Sequence, residues 1–142
     1  DLYERPENPF VADFIGINNL IPGEIREMNP AEGWMKAETK IGSLLCACLE
    51  RFKPGDRCVI SVRPEVASIG STQGAPTEFN RIAGNVSFAY YIGNTIRYDV
   101  EINGAVLFKV DVENPWEHQV FSIGEKVSIQ FPIKMTLGIP AQ

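Results

Sequence analysis

Residues 95–112, TIRYDVEINGAVLFKVDV, decide the fold class. Ile96, Tyr98, Val100 and Ile102 alternate with Thr95, Arg97, Asp99 and Glu101. After Asn103-Gly104, Val106, Phe108, Val110 and Val112 fall on one face, with Lys109 and Asp111 on the other. A period of two sends successive side chains to opposite sides of a strand, so each run reads as a strand with one buried face. Asn and Gly tolerate the positive φ that both central positions of a type I′ turn demand. The stretch therefore predicts an antiparallel hairpin.

The same period extends outward in both directions. Met35, Ala37, Thr39 and Ile41 alternate with Lys36, Glu38 and Lys40, and Cys58, Ile60 and Val62 alternate with Arg57, Val59, Ser61 and Arg63. Val127, Ile129 and Phe131 close the series. Asn29-Pro30 and Pro54-Gly55-Asp56 are turn signals, and the small, polar residues from Gly70 to Thr77 read as a connecting loop. The N-terminal segment differs. Asn8 suits an N-cap, Pro9 a first helical position and Gly16 a stop, while Phe10, Val11, Phe14 and Ile15 share one helical face. A helix that short is unstable alone, so its aromatic face must dock on the barrel or on another domain.

Two patterns recur in the same order. Asn19-Leu20-Ile21-Pro22-Gly23-Glu24-Ile25 is matched by Asn80-Arg81-Ile82-Ala83-Gly84-Asn85-Val86, and Phe52-Lys53-Pro54-Gly55-Asp56-Arg57 by Phe121-Ser122-Ile123-Gly124-Glu125-Lys126. The reading is a repeated unit of four or five strands, with Gly23 and Gly84 at bulges or tight bends that curve a sheet towards closure.

The chemistry of catalysis is not visible in the sequence. Gly124-Glu125-Lys126 lacks the leading glycine and spacing of a phosphate cradle, and no Gly-x-Ser-x-Gly elbow occurs. One histidine, His118, cannot supply a multi-histidine metal site and reads as an exposed turn residue. Cys46, Cys48 and Cys58 are too few and too odd in number for a disulfide framework; they read as buried thiols in a reduced compartment. Cys46 and Cys48 share a face if their segment is a strand. Trp34, Trp116, Tyr90 and Tyr91 read as core or cross-strand packing rather than a stacking platform. A net charge of -5 argues against a nucleic-acid partner. No apolar run reaches membrane-spanning length. The chain opens on Asp1 inside an organised segment, which reads as a piece of a longer protein.

Tyr3-Glu4-Arg5-Pro6-Glu7-Asn8-Pro9-Phe10-Val11-Ala12-Asp13-Phe14-Ile15-Gly16 closely resembles the segment that follows the nucleotide-binding core of ABC-transporter import ATPases. Asn19-Leu20-Ile21-Pro22-Gly23 resembles the opening of that family's appended domain. Val62-Arg63-Pro64-Glu65, Tyr91-Ile92-Gly93 and Arg97-Tyr98-Asp99-Val100 resemble later motifs in the same order. The resemblance implies a transport-associated OB-type (TOBE) domain. It would be an all-β, OB-like barrel built from two related strand units, preceded by a short N-terminal helix. Residues 1–17 would then connect from an ATPase domain, and residues 18–142 would form the barrel, with halves of about 18–69 and 80–142.

In that family ATP and Mg bind the preceding domain, so the resemblance implies no catalytic, cofactor or metal residue in this chain. It implies regulation and dimer contact for the ATP-binding subunit of an importer, with Thr95-Ile96-Arg97-Tyr98 most like polyamine types. The implied partners are the ATPase domain, a second copy and, through the full protein, membrane subunits; the implied location is the cytoplasm, at the inner face of the plasma membrane. Arg63, Glu65, Asn114, Trp116 and His118 are the candidate interface, and Tyr3, Phe10 and Phe14 the candidate docking residues for the ATPase domain. A stand-alone barrel for an oxyanion or other small ligand is the alternative.

Overall fold

The structure, a computed structural model, describes residues 18–48, 51–70 and 78–141. The expected N-terminal helix, with Tyr3, Phe10 and Phe14, lies outside the described residues, as does most of the Gly70–Thr77 loop.

The hairpin expected at residues 95–112 is present as β7 (Thr95–Ile102) and β8 (Val106–Glu113), paired from Thr95 with Glu113 to Ile102 with Val106. Asn103 and Gly104 take φ of 55° and 66°, as the turn requires. Ile96, Tyr98, Val100 and Ile102 are buried, while Arg97, Asp99 and Glu101 lie on the other face. Around it stand β1 (Asn19–Asn29), β2 (Trp34–Thr39), β3 (Gly42–Ala47), β4 (Arg57–Val62), β5 (Ser68–Gly70), β6 (Phe79–Ile92), β9 (Lys126–Pro132) and β10 (Leu137–Pro140). The fold is all-β, with short 3-10 turns at Pro64–Val66, Pro115–Glu117 and Ile133–Met135.

The strands form two antiparallel five-stranded sheets, in the orders β10-β4-β1-β2-β3 and β5-β9-β6-β7-β8. One pattern is used twice, except that each sheet takes its outermost short strand from the other half of the chain. Both sheets curl until their ends touch: β10 reaches β3, and β5 reaches β8. This is consistent with an OB-like fold. Burial follows the pleat, with Ile21, Ile25, Met35, Leu44, Cys46 and Ile60 inside the first sheet and Tyr98, Phe108, Ile129 and Phe131 inside the second.

The curling has a local cause in each sheet. The register slips between Ile25 and Glu27 against β2, and between Val86 and Phe88 against β7. An extra residue on one strand bends it and tightens its twist. The main chain displaced at each bulge is caught by a following turn: Ile25 N–H donates to Asp56 O and Gly55 N–H to Ile25 O, and Val86 and Gly124 repeat the arrangement with Glu125 O and Val86 O. Gly23 and Gly84, expected at the bulges, sit two residues before them. They are needed for room: a Cβ on Gly84 would press into the Glu101 carbonyl oxygen and come within 2.7 Å of Ile102 Cδ1, and one on Gly23 would lie 3.1 Å from Glu38 O.

Two asparagines lock the sheets together. Asn19 Nδ2 donates to Lys109 O at 2.9 Å and Lys109 N–H donates to Asn19 Oδ1 at 2.6 Å. Asn80 does the same with Leu45, at 2.7 Å and 2.8 Å. Each amide thus imitates a strand residue for an edge of the other sheet. Both are buried, at 5% and 6% exposure, so these edge groups would otherwise be cut off from water without a partner.

Candidate functional site

The end of β8 and the 3-10 turn at Pro64–Val66 build a groove of about 680 Å³. Pro64 is buried and closes the path out of β4, which turns Arg63 and Glu65 outward. Arg63 Nε donates to Glu65 Oε2 at 2.9 Å, with both side chains at least half exposed. That hydrogen bond, ahead of any longer-range charge, holds the Glu65 carboxyl below its ordinary range. On the opposite wall, Asn114 follows β8 in the left-handed region (φ 50°), a conformation Asn tolerates better than most side chains. Its N–H donates to Asn94 O at 3.0 Å, which ties the segment to the turn before β7. Pro115 then starts the 3-10 turn that carries Trp116 and Glu117.

Of the five candidate interface residues, Glu65, Asn114 and His118 line this one groove. Arg63 stands beside it through Glu65, and Trp116, 70% exposed, is not among the lining residues. The sequence reading did not single out Asp111, Glu113 and Glu117, which join Glu65 to make the lining strongly acidic. Their signal was present, because Asp111 and Glu113 lie on the outward face of β8. Nothing in the sequence said that residue 65 would face them.

Asp111 is spoken for. Arg97 binds it through two hydrogen bonds, at 2.6 Å and 2.8 Å, and both side chains are about one-eighth exposed. The bidentate bond, before any other cause, raises the Arg97 pKa well above its already high ordinary value. Lys109 and Asp99 make a second pair on the same face, at 3.0 Å. Glu113 and Glu117 have no ion pair among the described residues. The groove therefore offers unneutralised carboxylates over an apolar floor that includes Val112 and Phe121. Its chemistry is the acceptance of hydrogen bonds and positive charge. Among the described residues, no group of three or more His, Cys, Asp or Glu could hold a metal.

The cysteines lie elsewhere. Cys46 is fully buried, Cys58 is buried and Cys48, just past the end of β3, is half-buried. Burial, with smaller contributions from Cys58 and Cys48, pushes the Cys46 thiol up to about 12. It stays protonated at neutral pH and packs as a small apolar group. Of the aromatics expected to pack in the core or across strands, Tyr91, opposite Ile96 in the β6–β7 pairing, is 67% exposed and Trp116, in the turn after β8, is 70% exposed, so neither is in the core.

Comparison with known proteins gives a consistent picture. A family model described as TOBE domain matches residues 60–137. The chain is 32% identical over 132 residues to the spermidine/putrescine import ATP-binding protein PotA of Thermotoga maritima, covering 85% of this chain and 36% of that protein. It is 29% identical over 131 residues to the Fe(3+) ions import ATP-binding protein FbpC of Brucella abortus, covering 92% of this chain and 34% of the relative. The chain thus spans about a third of the length of the curated relatives it matches. A solved structure of the cytoplasmic molybdate-binding protein ModG, with molybdate bound, superposes with a TM-score of 0.75 at 14% identity, covering 87% of this chain and 96% of that one. At that identity the likeness speaks for the fold.

Proposed function

The chain belongs to the TOBE domain family, and from that premise we propose that it is the regulatory and dimerisation domain of the ATP-binding subunit of an ABC importer. The observation that carries this reading is the extent of the match. Nearly the whole chain aligns to a third of importer ATP-binding proteins, and the remaining two thirds of those proteins have room for an ATPase domain. The parent couples ATP hydrolysis to solute uptake, with ATP and Mg held upstream of this domain. It sits in the cytoplasm, against the inner face of the membrane through the transporter subunits. Residues 18–142 form the domain, an internally duplicated barrel with halves near 18–69 and 80–142, and residues 1–17 connect it to the ATPase, with Tyr3, Phe10 and Phe14 on the docking side. Polyamine is the solute class favoured by the PotA relatives, and the FbpC relatives make iron(III) its rival.

In this reading two copies hold two ATPase domains near each other and raise their effective concentration between closures. The groove lined by Glu65, Asn114 and His118 is a regulatory contact, through which an occupant favours one dimer arrangement over another. The test is a parent protein with and without residues 18–142. The truncated form is expected to keep nucleotide binding but to lose dimerisation at low concentration and the coupling of hydrolysis to uptake. ATP turnover by this chain alone, or unchanged coupling after truncation, would sink the reading.

The ModG likeness keeps a second reading in play, a small-oxyanion module. Millimolar molybdate would then raise the melting temperature of the chain, whereas the importer reading expects no shift.

A further inference from the structure

The two sheets close on themselves at two seams that are built alike and secured differently. Pro64–Gly70 carries the chain from β4 to the edge strand β5 and lies along β8, and Ile133–Pro140 carries it from β9 to β10 and lies along β3. Lys109 and Leu45, held by Asn19 and Asn80, mark the same point on the two edges. Two residues further on, β3 is bonded to its crossing segment, because Ala47 N–H donates to Thr136 O at 2.9 Å. The matching residues of the other seam are Asp111 on β8 and Ala67, which ends its 3-10 turn as Thr136 ends the other. Among the described residues no main-chain hydrogen bond joins Asp111 and Ala67. The turns follow suit. Thr136 is fully buried, its hydroxyl donates to Pro132 O at 2.7 Å, and its N–H donates to Ile133 O at 3.1 Å. Ala67 has no hydroxyl, and its N–H reaches Pro64 O at 3.4 Å.

Charge stands where the main-chain bond is missing. Arg97 lies opposite Asp111 in the β7–β8 pairing, as Trp34 lies opposite Ala47 in the β2–β3 pairing. It holds the Asp111 carboxylate through two hydrogen bonds, and its charge also helps to lower the Glu65 carboxyl on the crossing segment. Glu65 is half exposed, so that attraction is weak. Glu65 and Asp111 line the same groove, and without the guanidinium their like charges would push its walls apart. The free energy needed to open a segment depends on its buried contacts and protected hydrogen bonds, and Pro64–Gly70 has fewer of the latter than Ile133–Pro140.

We propose that Pro64–Gly70 is a strap that lifts from β8 as a unit and widens the acidic groove, while Ile133–Pro140 stays seated on β3. Arg97 is the positioning residue of this device, since it sets the charge that the strap meets when it closes. The motion follows from the difference between the two seams and not from the importer assignment.

The test is native-state hydrogen exchange of the full chain, read residue by residue at matched amides. Ala67 N–H and the amides that pair β5 with β9 are expected to exchange about tenfold or more faster than Thr136 N–H and the amides that pair β10 with β4. Arg97→Gln leaves Glu65 and Asp111 facing each other without a cation. It should widen the ratio between the two segments by about a further tenfold, and Arg97→Gln/Asp111→Asn, which removes both charges, should restore most of the original ratio. Thr136→Ala, which copies the looser turn, should speed Ile133–Pro140 several-fold and leave the strap unchanged. The comparison within the unmodified chain needs no variant, so it decides even where a variant fails to fold. Equal exchange of the two segments in that chain would overturn the proposal, as would an Arg97→Gln effect shared equally by both.

Discussion

The first sheet, β1 to β4 with β10, and the second, β6 to β9 with β5, solve the same problem with different side chains. Both place a bulge after a close-approach glycine, catch it with a Gly-acid turn and lend an asparagine to the other sheet's edge. Their cores differ in kind. Met35, Leu44 and Val62 in the first stand where Tyr98, Phe108 and Phe131 stand in the second, as the strand pairings show. In the second core, Phe108 and Phe131 stack at 5.3 Å, and Tyr98 meets Phe121 edge-on at 5.8 Å. The surfaces differ too: among the described residues, every exposed large hydrophobic side chain lies between Phe88 and Leu137, and of these only Leu137 is on a strand of the first sheet. What the two share is what a curled five-stranded sheet requires; what they do not share is free to serve something else.

The comparison can be broken most sharply at its glycines. Gly84→Ala drives a methyl group into the Glu101 carbonyl and against Ile102 and Val100, whereas Gly23→Ala makes contacts of 3.1 Å that a small shift relieves. Chemical denaturation should show a loss of about 3 kcal/mol or more for the first and about 1 kcal/mol for the second. Equal losses would mean that the two sheets are equally tight at this point.

The asparagines test the reciprocity. Asn19→Ala and Asn80→Ala each leave a buried N–H and C=O of an opposing strand without a partner, at Lys109 and Leu45. Each should cost about 2 kcal/mol in the same measurement. If one variant is near neutral, the locks are not equivalent.

A pH series separates the cores. Cys46 occupies the position of Val110. Its folded pKa, about 12 against an ordinary value of 9.0, makes its contribution complete below pH 9 and progressively lost as pH rises towards 12, because the unfolded thiol ionises first. Cys46→Val, which copies the second core, should remove about 1 kcal/mol of the alkaline destabilisation near pH 10. Identical alkaline profiles would refute this.

Tyr98→Phe asks what the aromatic core gains from its one polar handle, the hydroxyl that accepts the Phe121 N–H at 3.1 Å. The expected loss is about 1 kcal/mol, with unchanged near-neutral pH dependence. The smallest effect belongs to the groove wall. Arg63→Ala removes an exposed ion pair and should change stability by less than about 0.5 kcal/mol, so any larger effect on the parent's activity would be functional rather than structural.

Much of this was legible in the residues, for identifiable reasons. The β7–β8 hairpin was readable because its alternation is clean and Asn103-Gly104 belongs to one turn type. The repeat was readable because the same asparagine, glycine and Gly-acid turn recur in the same order in both halves. β3 was not picked out by its period, since Ser43, Leu44, Leu45 and Cys46 do not alternate cleanly. Tyr91 and Trp116 were expected to pack because aromatic residues in and beside strands usually do, and a period of two does not say which face meets water. For the candidate site, Glu65 and the Asn114–His118 segment could be named, while Asp111 and Glu113 read only as ordinary polar positions on a strand and Glu117 as one more residue of the turn after it.

By itself the sequence determined the all-β class, the two-fold use of one strand pattern and the β7–β8 hairpin, because these rest on period, turn chemistry and contacts between neighbouring segments. Only the tertiary structure decided that β5 and β10 change sheets, that Asn19 and Asn80 close the opposite edges, and that an acidic groove opens between the end of β8 and the turn at Pro64–Val66. Those features depend on pairings between residues far apart in the chain. Their free energy comes from satisfying buried main-chain groups and covering apolar surface, and no local pattern in the sequence records which distant partner will do so.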